Sequence, residues 1–150
     1  MPDRVIITNS SDETFKFGQT LGKEISKIGK GFKVGLSGEL GAGKTLLIKG
    51  IMSVLMPGVD VTSPSFTIMN EFEKSGKRII HTDLYRIYNT DELLGTGFLE
   101  ALGDAETVMF IEWIDHIKEQ REYFDDVLAL IDIEYVSENS RKISIKNWRV

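Results

Sequence analysis

The chain contains no cysteine, only three prolines, and two histidines standing 35 positions apart among its 150 residues. The missing cysteines exclude disulfide frameworks, thiolate metal sites and thiol nucleophiles together, and fit a reducing compartment such as the cytoplasm. Two distant histidines make a zinc site a poor expectation. No apolar run approaches the roughly 18 residues that a membrane span requires, and the opening MPDRVIITNS lacks the charged and apolar stretches of a secretory signal. Positive charge is also scarce: 18 basic against 23 acidic residues leave a net charge of -5, which argues against broad electrostatic capture of nucleic acid or anionic lipid.

What is present suits an ordinary globular chain, with 41% hydrophobic and 27% charged residues. One domain spanning residues 1–150 is expected, with no repeat or linker to divide it. Arg4 to Thr8 reads as a strand. Ser10 with Glu13 three positions on is a capping-box signature, and Phe17, Leu21, Ile25 and Ile28 mark one face of the helix it opens. Phe32 to Leu36 predicts a second strand, and Lys44 to Met56 a second helix closed by Pro57-Gly58. Alternation from Phe66 to Glu73, a turn at 74–77 and Arg78 to Thr82 predict a hairpin that delivers Asp83 at its end. Thr90 to Leu102 should be helical in two pieces broken near Gly95 and Gly97. Thr107 to Ile111, ending in Glu112, has the look of a central strand, and residues 131–135 with 143–145 that of a C-terminal hairpin. Strands interleaved with helices, plus two hairpins, give an α/β layered domain with a mixed sheet.

Glycine is concentrated rather than scattered: seven of fourteen lie between positions 29 and 50. Within that crowd Gly38-Glu39-Leu40-Gly41-Ala42-Gly43-Lys44-Thr45, followed by Leu46, fits G-x-x-x-x-G-K-[ST] between a predicted strand and a predicted helix. Backbone N–H groups of such a loop turn toward one anion, the helix N-terminus adds its dipole, the lysine reaches the β- and γ-phosphates, and the threonine hydroxyl serves Mg²⁺. The expected fold is therefore a P-loop NTPase-like three-layer domain with a mixed, mostly parallel central sheet and hairpin additions. A carboxylate at a neighbouring strand tip is needed beside the metal. Glu112 is the best candidate, with Asp83 the other, either near the metal or orienting the attacking water. Arg86 has two readings, a γ-phosphate contact or a surface salt bridge. His81 is read as a strand residue hydrogen-bonded within the fold, His116 as a surface residue, and Trp113 as core. No N-K-x-D guanine motif occurs, which favours ATP over GTP.

The sequence resembles the TsaE family of small bacterial P-loop ATPases, from Asp12-Glu13-Thr14 to about Trp113. The loop, Ser63-Pro64-Ser65-Phe66-Thr67, His81-Thr82-Asp83-Leu84-Tyr85-Arg86 and Ile111-Glu112-Trp113 carry the resemblance. It implies a cytoplasmic, Mg-dependent ATPase that works with TsaB and TsaD in the threonylcarbamoyl-adenosine modification of tRNA, weak alone and touching tRNA indirectly or weakly. Position by position it implies that Gly38 to Leu46 hold ATP, with Thr45 and Glu112 on Mg²⁺. Lys44, Asp83 and Glu112 would act in catalysis, Glu13 and Thr14 would lie near the base, and Ser63, Ser65, Thr67 and Arg86 would form a nucleotide-sensing switch. Glu39 and Ser65 stand where the family usually has Asp and Thr, and Ile114 where Pro or another small residue often follows the Trp. Arg141, Lys142, Lys146 and Arg149 on the last hairpin read as a solvated strand face, with tRNA phosphate as the other partner considered. A nucleotide-gated interaction module without hydrolysis and a small-metabolite kinase are the alternatives.

Overall fold

The computed structural model describes residues 3–62, 68–117 and 128–149. In chain order these form β1 (Arg4–Thr8), α1 (Ser11–Ser26), β2 (Lys33–Gly38), α2 (Lys44–Leu55), β3 (Met69–Lys74), β4 (Lys77–Asp83), α3 (Phe98–Gly103), β5 (Val108–Glu112), β6 (Leu128–Tyr135) and β7 (Arg141–Lys146), with a 3-10 turn at Thr90–Leu93 before α3. All strands join one sheet in the order β1-β7-β6-β2-β5-β4-β3. The four central strands β6, β2, β5 and β4 run parallel, and β3, β7 and β1 attach antiparallel at the flanks. β6 thus belongs to the parallel centre as well as to the hairpin that the sequence pattern predicts.

The period-two pleat divides the hydrophobic residues into two cores. Val34, Leu36, Ile79, Phe110, Ile131 and Ile143 face the layer made by α1 and α2. Ile80, Met109 and Ile111 face the other way, onto Phe98 and Ala101 of α3 and onto Ile114 and Ile117. The outcome is three layers with the sheet in the middle. α1 begins as the capping signature predicts: Ser10 Oγ accepts from the Glu13 amide at 3.1 Å and Glu13 Oε2 accepts from the Asn9 amide at 2.6 Å. α1 and α2 cross at Gly18 and Gly50, where a Cβ on Gly50 would collide with the Phe15 carbonyl oxygen, so Gly50 serves helix packing rather than a turn.

Parallel strands that start together also end together. Gly38, Asp83 and Glu112 close β2, β4 and β5 at one edge of the sheet, with Leu36 paired to Glu112 and Glu112 paired to Asp83. In open α/β sheets that carboxyl edge is where ligands bind.

Candidate functional site

The link from β2 to α2 is the glycine-rich loop. Gly43 occupies the N-cap of α2 with a left-handed φ of 114°, a conformation that favours a residue without Cβ, and no side chain caps the helix. The first turn of α2 carries no acidic residue, whereas α1 has Ser10 as its cap and Asp12 and Glu13 in its first turn. Two helices face the same deficit of N–H acceptors; α1 fills it with its own side chains, and α2 does not.

Lys44 is buried, and its Nζ donates to the carbonyls of Gly38 at 2.7 Å and Glu39 at 2.9 Å while lying 3.9 Å from the centre of the Trp113 ring. Burial pulls its pKa below the ordinary lysine value, against the opposing charges of Glu112, Asp115, Asp83 and Asp132. Thr45 Oγ1 donates to both carboxylate oxygens of Glu112, at 2.9 and 3.0 Å. Behind Glu112, the buried His81 shares a 2.5 Å hydrogen bond through Nε2 with Oε2, and its Nδ1 has no hydrogen-bond partner. Glu112 is therefore held from two sides, and this orienting role of His81 is absent from the sequence reading. Asp83 Oδ1 accepts from the Tyr85 amide at 2.9 Å, and burial, opposed by that bond, pushes its carboxyl above the usual range.

Trp113 packs at the edge of the second core, as its core reading expects, without being fully enclosed. It is half-buried, adopts a left-handed φ of 61°, and packs against Tyr85 and His116 at centroid distances of 5.0 and 5.2 Å. His116 also donates or accepts through Nδ1 at the Leu84 carbonyl, so it is less a surface residue than the sequence suggests. Arg86 is exposed in the turn that follows β4. Ser63, Ser65 and Thr67 lie outside the described residues.

A cleft of about 380 Å³ opens beside the loop, between the start of α1 (Ser10, Ser11, Thr14) and the β6–β7 turn (Glu138, Asn139, Arg141), with Leu46 on its wall. Thr14 lines it, although its hydroxyl is paired with that of Thr8 at 2.7 Å. Glu13 is exposed, and its carboxylate serves the cap of α1. A larger depression of about 650 Å³ lies among Ile25, Leu55, Ile79 and Val108, away from the loop, so size alone does not select the site.

Arg141 differs most from its expectation. Instead of standing on a solvated face, its Nε donates to the Ala42 carbonyl at 3.0 Å, and its guanidinium lies 4.0 Å from the centre of the Tyr135 ring. Lys142 and Lys146, its neighbours in the cluster, are exposed as expected.

A parallel-centred sheet between helices, with a glycine-rich strand-to-helix loop at its carboxyl edge, defines a P-loop NTPase-like protein. Residues 8–143 match the family model described as threonylcarbamoyl adenosine biosynthesis protein TsaE. A tRNA threonylcarbamoyladenosine biosynthesis protein TsaE of Aquifex aeolicus is 36% identical over 146 residues, covering 93% of each chain. The protein of the same description from Rickettsia felis is 31% identical over 142 residues, covering 94% of this chain and 78% of its own. The crystal structure of YdiB from Bacillus subtilis superposes with a TM-score of 0.62 at 24% identity, covering 97% of this chain and 86% of that one, a likeness of fold. The chain belongs to the TsaE family, whose role lies in the biosynthesis of threonylcarbamoyladenosine in tRNA.

Proposed function

We propose that this protein binds ATP with Mg²⁺ on the loop from Gly38 to Leu46 and hydrolyses it as an accessory subunit of tRNA threonylcarbamoyladenosine synthesis. The observation that carries this reading is the convergence of Lys44, the Thr45 hydroxyl and Glu112 at the uncapped start of α2. Loop amides and Lys44 bind and orient the phosphates, and Lys44 can leave two carbonyls and an aromatic face for a stronger, fully charged partner. Glu112, steadied by His81, holds the Thr45 hydroxyl. Asp83 orients the attacking water, and its raised pKa brings the carboxylate closer to the basicity that accepting a proton requires.

A hydroxyl and a carboxylate are hard oxygen donors that suit Mg²⁺, and among the described residues no group of three or more His, Cys, Asp or Glu side chains is disposed to hold a metal ion alone. Such a site needs phosphate oxygens to complete it. Thr45 and Glu112 would hold the ion, which would neutralise charge on the transferring phosphoryl group.

Partners of the TsaB and TsaD type are proposed to raise a weak basal rate, with tRNA handled mainly by them, in the cytoplasm. The acidic balance of -5 agrees with that division of labour. No described helix is long and apolar enough to cross a membrane. The test is ATP hydrolysis with and without the TsaB–TsaD pair: stimulation supports the reading, and an unchanged rate sinks the partner assignment. Glu112→Ala should stop turnover while leaving much of the ATP binding; measurable binding with no wild-type turnover under any condition would favour a nucleotide-gated interaction module instead.

A further inference from the structure

The loop that holds Lys44 is itself held by a residue 99 positions away in the sequence. Arg141, the first residue of β7, pairs with Tyr135 across the β6–β7 ladder and with Thr8 of β1. Its Nη1 donates to the carbonyls of Ser137, Glu138 and Ser140 at 3.0–3.1 Å, so one end of the guanidinium is committed to the β6–β7 turn. Its Nε is committed to the Ala42 carbonyl. The face of the group rests on the Tyr135 ring, whose hydroxyl in turn donates to the Leu40 carbonyl at 3.4 Å and stands where a Cβ on Gly41 would come within 3.0 Å. Ser140 Oγ bonds Asn9 Oδ1 at 3.0 Å, which ties the same turn to the segment that opens α1.

This arrangement acts on the phosphate-binding amides through peptide geometry. In a planar trans peptide the C=O and the following N–H point in opposite directions. Drawing the Ala42 carbonyl outward to Arg141 therefore turns the Gly43 N–H the other way, away from the hairpin. The loop carries glycine at 41 and 43, both at positive φ, on either side of Ala42, whose methyl is buried in the core while its carbonyl is held by Arg141. An unbraced loop would spend part of its time with the unit flipped and one donor lost, and binding would carry the cost of ordering it.

We propose that Arg141 is a positioning residue for the phosphate loop: seated on Tyr135, it fixes the Ala42–Gly43 peptide so that the loop is ordered before nucleotide arrives. The inference rests on the proposed nucleotide binding and deepens it. It is tested by measuring, by calorimetry with Mg²⁺, the affinities of wild type, Arg141→Ala, Arg141→Lys, Tyr135→Leu and Lys44→Ala for ADP and for inorganic tripolyphosphate, with melting temperatures recorded alongside. Arg141→Ala should weaken both ligands by about tenfold, the scale of one charge-assisted hydrogen bond. Arg141→Lys should recover part of both losses, since an ammonium can still reach one carbonyl. Tyr135→Leu, which keeps the arginine but removes its platform, should weaken both by about threefold and serves as the deciding variant if Arg141→Ala does not fold.

Unchanged affinities in Arg141→Ala, or in Tyr135→Leu where that variant decides, would overturn the inference. So would a loss confined to ADP, because Arg141 would then be lining the base cleft rather than ordering the phosphate loop. Wild-type protein that binds neither ligand overturns the nucleotide reading as well, whereas binding abolished by Lys44→Ala and untouched by Arg141→Ala overturns this inference alone.

Discussion

Two lysines, Lys33 at the start of β2 and Lys44 at the start of α2, are built almost alike. Lys33 and Lys44 are both buried, both have pKa values pulled below the ordinary lysine value by desolvation, and both donate to two backbone carbonyls. Lys33 meets the carbonyls of Asp104 and Thr107, each at 2.5 Å, in the turn between α3 and β5. That turn is braced further by Thr107 Oγ1 on Asp104 Oδ2 and by the Gly31 amide on the Ala105 carbonyl. Lys44 meets the carbonyls of a glycine-rich loop and the face of an aromatic ring, contacts that the proposed nucleotide binding would exchange for an anion. A buried, perturbed lysine is thus not in itself a functional one; what distinguishes the two is whether the groups around the ammonium are locked or replaceable.

The comparison can be broken most directly at Lys44. Lys44→Ala is expected to lower ATP affinity or turnover by about a hundredfold or more, with a small change in melting temperature. A variant that keeps its nucleotide affinity, read by calorimetry, would make the two lysines equivalent anchors. The reciprocal change, Lys33→Ala, is expected to cost about 2 kcal/mol of stability, because the two carbonyls lose their donor, while nucleotide affinity is retained. Chemical denaturation checks it, and a loss of ATP binding at unchanged stability would reverse the assignment.

A finer test concerns the carboxylates around Lys44. A carboxyl with a raised folded-state pKa favours the protonated form in the folded protein, so its contribution to stability is present below the unfolded-state value near 4 and is lost as pH rises through the folded-state value. Asp83→Asn removes that loss and keeps an acceptor for the Tyr85 amide. It should raise the melting temperature by about 2 °C at pH 7, with the gain vanishing below about pH 4. The same substitution should slow hydrolysis. A melting temperature that falls at pH 7 would mean that the charged form of Asp83 is stabilising.

Much of this was legible in the chain. The helix after the loop follows from the period of its apolar residues, the strand before it runs two residues further than its pattern suggests, and Asp83 and Glu112 could be placed at one edge of the sheet because each ends an apolar strand. Other features are not visible in linear order. The role of Arg141 is hidden because its partners are backbone carbonyls, which leave no residue-type signature, and because lysines beside it suggest a solvated face. The place of Lys44 over the Trp113 ring shows only once β2 and β5 pair. His81 stands next to Glu112 only across the β4–β5 ladder. Gly50 falls inside a helix that the apolar period already predicts, and only the packing shows it to be the contact point of two helices.

The strand order also has a consequence for how the protein is made. Among the described residues β1 has only β7 as a neighbour, and β2 has only β5 and β6. As the chain leaves the ribosome, both early strands, and the glycine-rich loop with them, must wait for partners synthesised about 70 to 140 residues later, while the α1–α2 pair and the β3–β4 hairpin can form locally. Such long-range pairing is slow. The exposed edges of β1 and β2 in that interval make the growing chain, more than the finished one, the species that needs protection from aggregation.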